Sequence, residues 1–328
     1  KGFLGESFYT ASNPPYGATF TYFLKEKYKT AKEKRQDAEK AAAKKNEMGA
    51  YATLPYPTRD QLREEAEAEA PSLWFLVSDA EGNLVRQLPA TNNSGINRVT
   101  WNLRYPPTSL PAENANADDN PFDGGPNGTH AMPGKYSVKL VKKVDGKYAD
   151  LGTPQSFNLY VFGADKMAAQ DRATLYAFQR RVAKLDRAIS GAVSLSTELR
   201  TRVRAVRRAL RETPANTSAL LDRADDLDKR LGAELRALRG DTASISRQEV
   251  PFPPSLSGRI NNIIGDQFTS TSLPTATHQN DYTIAAEGFA QELTKVKALA
   301  EAVQSLEREA EKLGAPWTPG RVPEWQDQ

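Results

Sequence analysis

Three aspartates crowd one loop of the chain, Asp118, Asp119 and Asp123, within Asp118-Asp-Asn-Pro-Phe-Asp-Gly-Gly-Pro-Asn127. Hard oxygen donors at this density are what a calcium ion takes, so the three form a calcium candidate without the spacing of an EF-hand. A hydrophilic connection has the same composition. The three are also the acids best placed for sugar chemistry, because glycoside hydrolysis needs two carboxyls opposed at about 5 to 9.5 Å and nearly all other acids fall on amphipathic helices. A second polar stretch, Gly265-Asp-Gln-Phe-Thr-Ser-Thr-Ser-Leu-Pro-Thr-Ala-Thr-His278, is able to line a cleft, which makes Gln267 and His278 ligand-binding candidates. It equally suits an inter-helix loop whose Thr residues cap the next helix. Other chemistries are closed off. His130 and His278 are the two histidines and there is no Cys, which excludes thiolate and His-cluster metal sites, disulfides and a Cys nucleophile, and makes a Ser-His-Asp arrangement hard to build.

Charge narrows the partners further. Residues 172–211 hold eleven Lys or Arg against Asp186 and Glu198, a density suited to phosphate. Later helices bring Asp222, Asp225, Asp226, Asp228, Glu287, Glu292, Glu301, Glu307, Glu309 and Glu311 to the same assembly, and the whole chain carries a net charge of +3. Interhelix pairing accounts for the basic run, and a nucleic-acid partner is not expected. No apolar run approaches the roughly 18 residues of a membrane span.

The elements that hold these residues follow from hydrophobic period. Tyr16 to Leu24 reads as an opening strand after Asn13-Pro-Pro15. Residues 25–70 are a charged helical excursion whose first arm is Lys-rich and whose second, Asp60 to Glu69, is acidic, so the arms attract each other. From Pro71 the period is two. Leu73, Phe75 and Val77 form one face, Leu84 to Leu88 and Ile96 to Leu103 follow, and Asp145-Gly146 turns a hairpin beginning near Tyr136. Beyond Phe162 the period is helical. Leu175 to Ile189 and Leu195 to Leu210 read as an adjacent pair of helices, Leu220 to Leu238 as a third stopped at Gly240, Ile260 and Ile264 as a short one, and Tyr282 to Leu313 as the longest.

Separated segments carry a resemblance. Thr10-Ala-Ser-Asn-Pro-Pro-Tyr-Gly-Ala-Thr-Phe-Thr-Tyr-Phe-Leu-Lys-Glu26, Asp79-Ala-Glu-Gly-Asn-Leu-Val-Arg86, Trp101-Asn-Leu-Arg-Tyr-Pro106, Met132-Pro-Gly-Lys-Tyr136 and Gly314-Ala-Pro-Trp-Thr-Pro-Gly-Arg321 together resemble the C-terminal region of bacterial sortilin-like, BNR-repeat proteins often labelled glycosyl hydrolases. The stretch from Gly82 to Tyr136 also looks like an Ig-like domain appended to secreted bacterial proteins. The resemblance spans nearly the whole chain. It implies an upstream β-propeller, export to the periplasm, cell surface or medium, and an accessory role here, with any hydrolytic label belonging to the propeller and no catalytic residue carried over. Opening on Lys1 instead of Met, the chain is read as a processed piece of a longer protein.

The expected architecture is therefore α+β and multidomain: an Ig-like antiparallel β-sandwich over residues 1–162 with a helical insertion at about 25–70, then an antiparallel helical bundle over 163–314. A Pro- and Trp-rich tail, 315–328, is expected to dock on the body by burying Trp317 and Trp325, its alternative being an exposed tail that awaits a partner domain. The expected function is a non-catalytic accessory, binding or assembly module whose partner is the upstream propeller or another subunit, with no cofactor beyond the calcium candidate. The alternative is part of a glycoside hydrolase that contributes to carbohydrate binding or hydrolysis.

Overall fold

The structure, a computed structural model, describes residues 13–47, 56–108, 128–161, 167–241, 253–323 and 325. It is a mixed α+β protein whose chain divides into two compact units, residues 1–106 with 130–163 and residues 107–129 with 164–328.

The first unit holds two antiparallel sheets. Strand β1 (Ala18–Leu24) pairs with β4 (Gly95–Trp101), and β2 (Ser72–Ser78), β3 (Leu84–Ala90), β5 (Gly134–Val144) and β6 (Lys147–Leu159) form a second sheet in the order β3-β2-β5-β6. Tight turns set the registers. Asp145 and Gly146, with φ of 51° and 73°, link β5 to β6 as a two-residue hairpin requires, while the Asp79 carboxylate accepts from Asn83 N and Nδ2 at 2.8 and 3.0 Å between β2 and β3. The sheets share one core. Phe20 and Tyr22 of β1 each meet Phe75 of β2 with ring centroids 5.3 Å apart, and Val77, Val85, Leu88, Tyr136 and Val138 surround a fully buried Trp101. Its indole Nε1 donates to Arg104 O at 2.9 Å, so the largest side chain of the core leaves no orphaned donor. Gly17 lies against the same residue. At φ +133° its Cα approaches so closely that a Cβ would stand 1.9 Å from Trp101 O.

Between β1 and β2 run two exposed helices, α1 (Ala31–Glu47) and α2 (Arg59–Glu67). Arg35 of the basic arm holds Glu65 of the acidic arm through Nε and Nη2, both at 2.8 Å. Thr58 starts α2 with a reciprocal capping box to Gln61.

The second unit is helical, and its first element departs from the sequence reading. Residues expected to form a pair of helices are one 43-residue helix, α3 (Ala169–Arg211), about 65 Å long. Its buried residues Leu175, Phe178 and Val182, then Ile189, Ala192, Ser196, Leu199, Val203, Val206 and Leu210, keep alternating steps of three and four through Gly191, with no proline to break them. Helices α4 (Ser218–Arg239), α5 (Leu256–Gln267) and α6 (Ala276–Lys312) follow among the described residues.

Directions follow from the pairs. Arg200 meets Asp228 at 2.9 Å and Arg207 meets Asp225 at 2.7 Å, so α4 runs back along α3. Arg202 grips Glu307 at 2.8 and 2.6 Å and Phe178 meets Tyr282, so α6 runs with α3 instead of against it. Leu256 lies beside Gly288 and Asp266 beside His278, so α5 continues in the direction of α4. Among the described residues the bundle is thus three rods, up, down and up, with α4 and α5 in the middle rod. The pairs α3 and α4, and α5 and α6, are antiparallel, as are α4 with α6 and α3 with α5, while the long helices α3 and α6 run parallel. Two apolar clusters fill it: Leu199, Val206, Leu227, Leu231, Val303 and Leu306 where α4 lies between the long helices, and Val182, Ile189, Ile260, Ile263, Phe289 and Val296 where α5 does.

Polar residues interrupt these seams. Ser196 is fully buried with no partner for its hydroxyl. Glu234, spaced three and four residues from Leu231 and Leu238, is 9% exposed, and its Oε2 has no hydrogen-bond partner. Burial first, then hydrogen bonding to Glu292 and that group's charge, push the Glu234 carboxyl from an ordinary 4.5 up to about 7, with Lys295 and Arg230 opposing. Burial also acts to raise Glu292. The hydrogen bonds from Glu234 and Lys295 outweigh it and hold Glu292 below its usual range. The two carboxyls therefore share one proton near neutrality.

Candidate functional site

The residues singled out by sequence sit in several places. Asp118, Asp119 and Asp123 lie outside the described residues. Gln267 is buried at the end of α5, where its backbone oxygen accepts from Gln179 Nε2 at 2.6 Å and ties α5 to α3. His278 occupies the third position of α6. Its backbone N donates to Thr275 Oγ1, and its Nδ1 accepts from Thr275 N, both at 3.3 Å. With Nδ1 an acceptor, Nε2 carries the hydrogen and donates it to Asp266 at 3.2 Å. The capping alternative for this segment is what the geometry supports. Among the described residues no group of three or more His, Asp or Glu is placed to hold a metal ion, and no helix is long and apolar enough to cross a membrane.

The tail is organised differently from the expectation that its tryptophans bury. Trp317 is 60% exposed and Trp325 82% exposed. Arg321 is the buried residue. Its Nη1 donates to Pro316 O at 2.8 Å, its Nη2 donates to Ala315 O at 3.0 Å and to the Glu311 carboxylate, and its own carbonyl accepts from Trp317 Nε1 at 2.8 Å. A guanidinium serves several acceptors at once, here Pro316 O, Ala315 O and Glu311, where an indole has a single N–H to give, which favours the Arg at the inward position. Gly320, at φ +92°, passes against Arg202, so that a Cβ there would stand 2.6 Å from its Nε.

The most built surface site lies on the first unit, on the outward face of the four-stranded sheet. In the β2 sequence Ser-Leu-Trp-Phe-Leu-Val-Ser, Leu73, Phe75 and Val77 take the core and Trp74 and Leu76 are left outside, only partly buried. Register places Trp74 opposite Val141 and Leu76 opposite Lys139 on β5 and Gln87 on β3, while Val141 pairs with Asp150 and Lys143 with Tyr148 on β6. Trp74, Leu76, Gln87, Val141, Tyr148 and Asp150 line a cavity of about 460 Å³, within the size range of small-molecule sites. Trp74 and Tyr148 form a tilted aromatic pair, centroids 6.4 Å apart at 33°, and Tyr148 is 70% exposed. The cations at the rim are engaged: Lys139 by Asp150 at 2.6 Å, and Lys143 by Glu69 with its ammonium over the Tyr148 ring.

A wider cleft of about 850 Å³ is bordered by Tyr22, Phe23, Tyr28, Lys29, Leu140 and Leu151. Lys27, Lys29 and Lys34 along it are held by Glu33, Asp37 and Asp145, and Lys142 caps Tyr28 at 4.5 Å, so these cations are engaged within the protein. Sequence reasoning missed the Trp74 face because it followed the alternating residues of the core. The available signal was five consecutive apolar residues in a strand next to solvent, which leaves an apolar stripe on both faces. Comparison with protein-family models, with curated proteins and with solved structures finds no match to this chain.

Proposed function

We propose that this chain is a non-catalytic binding module, with the first unit, an Ig-like β-sandwich, as the binding part and the helical unit as a rigid element for assembly. The observation that carries the reading is the outward sheet face: aromatic and aliphatic side chains form a floor, and hydrogen-bonding groups converge at its rim, the usual makeup of a small ligand site. The resemblance to sortilin-like, BNR-repeat proteins supports an accessory place beside an upstream β-propeller in an exported protein. The glycoside hydrolase reading asks for carboxyls opposed across a cleft. Glu234 and Glu292 interact across the bundle seam, where Glu234 is buried and Glu292 is engaged by Lys295, so this pair supports a packing role and does not carry the hydrolase reading.

The test pairs turnover with binding. The purified chain is assayed on chromogenic glycosides and, in parallel, on polysaccharides and candidate partner domains for retention. The module reading expects saturable binding without turnover. Hydrolysis that Asp118→Asn, Asp119→Asn or Asp123→Asn abolishes would return the chain to the hydrolases.

A further inference from the structure

Resting on the binding-module reading, we infer that the Trp74–Tyr148 cleft binds an uncharged saccharide. The floor comes first. Trp74 and Tyr148 offer ring faces with negative quadrupoles, and the C–H bonds on one face of a pyranose carry the complementary partial positive charge. Leu76 and Val141 extend that floor with aliphatic surface on which the same sugar face rests.

The rim then selects for hydroxyls. Gln87 is exposed at the edge of the cavity and offers both an amide donor and an acceptor, and Asp150 adds carboxylate lone pairs. A ligand rich in groups that donate and accept at once is matched by this pair. Charge excludes the main competitors: Lys139 and Lys143 are each held by an acid, so the rim is balanced and offers no free cation pair to a phosphate or carboxylate. Size argues the same way. A cavity of about 460 Å³ suits one or a few sugar rings, whereas a stable protein interface asks for about 800 Å² from each partner.

The experiment uses the full chain and a panel of soluble hexasaccharides: cellohexaose, chitohexaose, maltohexaose, mannohexaose and xylohexaose. Each is titrated by calorimetry against the wild type, Tyr148→Ala, Tyr148→Phe and Gln87→Ala. Tyr148 and Gln87 are exposed, so their replacement leaves the core intact, and circular dichroism verifies this. The inference expects at least one sugar to bind, Tyr148→Ala to weaken it about tenfold or more, Tyr148→Phe to retain most of the affinity, and Gln87→Ala to weaken it less than Tyr148→Ala. Binding that none of the variants changes, or no binding across the panel, overturns the saccharide assignment. Sedimentation velocity then separates the two readings. Self-association lost in Tyr148→Ala would give the face to a second copy and keep the binding module, while neither sugar binding nor association through this face would remove both.

Discussion

Replacing Glu234 by Gln tests the bundle seam most sharply, because Gln keeps the shape and the hydrogen-bonding capacity of a protonated Glu and removes its titration. In the folded chain the Glu234 carboxyl sits at about 7, against 4.5 without burial. A carboxyl raised on folding stabilises the fold fully below its unfolded value, and that contribution is lost as pH rises through the folded value. The window is therefore pH 4.5 to 7. The difference corresponds to about 3 kcal/mol at most, and Glu292, held low, works in the opposite sense at the acid end, losing its contribution as pH falls. Thermal unfolding followed by the helical signal at 222 nm, from pH 5 to 8.5, should show the wild type losing several degrees relative to Glu234→Gln, at about 2 to 4 °C per kcal/mol for a unit of this size. Using the difference between the two proteins cancels the titrating groups that do not interact with Glu234, leaving Glu234 and its neighbour Glu292. Parallel pH profiles would refute the reasoning, since they would mean that Glu234 is ionised or solvated at neutral pH.

The remaining expectations concern the core, the long helices and the tail. Gly17→Ala should destabilise the first unit by several kcal/mol or prevent its folding, because the new Cβ meets Trp101 O and the φ of +133° is strained for any L side chain; urea unfolding read by Trp fluorescence measures it. Glu307→Ala removes the bidentate partner of the part-buried Arg202 guanidinium between α3 and α6 and leaves it only the longer pair with Glu198, which should cost about 2 kcal/mol, seen as a lower urea midpoint with an unchanged slope. Arg321→Ala should free the tail and raise proteolysis after Leu313, whereas Trp325→Ala should leave the melting temperature within about 1 °C, as befits an exposed side chain.

Much of the architecture was legible because periodicity records burial. The switch from Leu73, Phe75 and Val77 to the three-four seam of Leu175, Phe178 and Val182 marks where strands give way to helices. Periodicity does not record continuity. Ser194, Leu195 and Gly191 look like an interruption in α3, but Ser196 keeps the seam in step, and a tertiary groove tolerates a buried serine. Nor does it record direction, which here depends on pairs such as Arg202 with Glu307, 105 residues apart. The tail misled through composition. Tryptophan is the residue expected to bury, yet the carbonyls of Ala315 and Pro316 needed donors, and Arg321 supplies them. The Trp74 face was hidden for a related reason, since a strand that is apolar on both sides gives no alternation from which to tell floor from core.

The chain has four tryptophans, at positions 74, 101, 317 and 325, and hence four indole N–H resonances, which gives the central claim a direct readout. Titrating the hexasaccharide panel into 15N-labelled protein should shift the Trp74 indole signal, with a saturation curve that Tyr148→Ala flattens, while the Trp101, Trp317 and Trp325 signals stay in place. Movement of Trp317 or Trp325 with Trp74 unmoved would place ligand recognition on the tail and contradict the account.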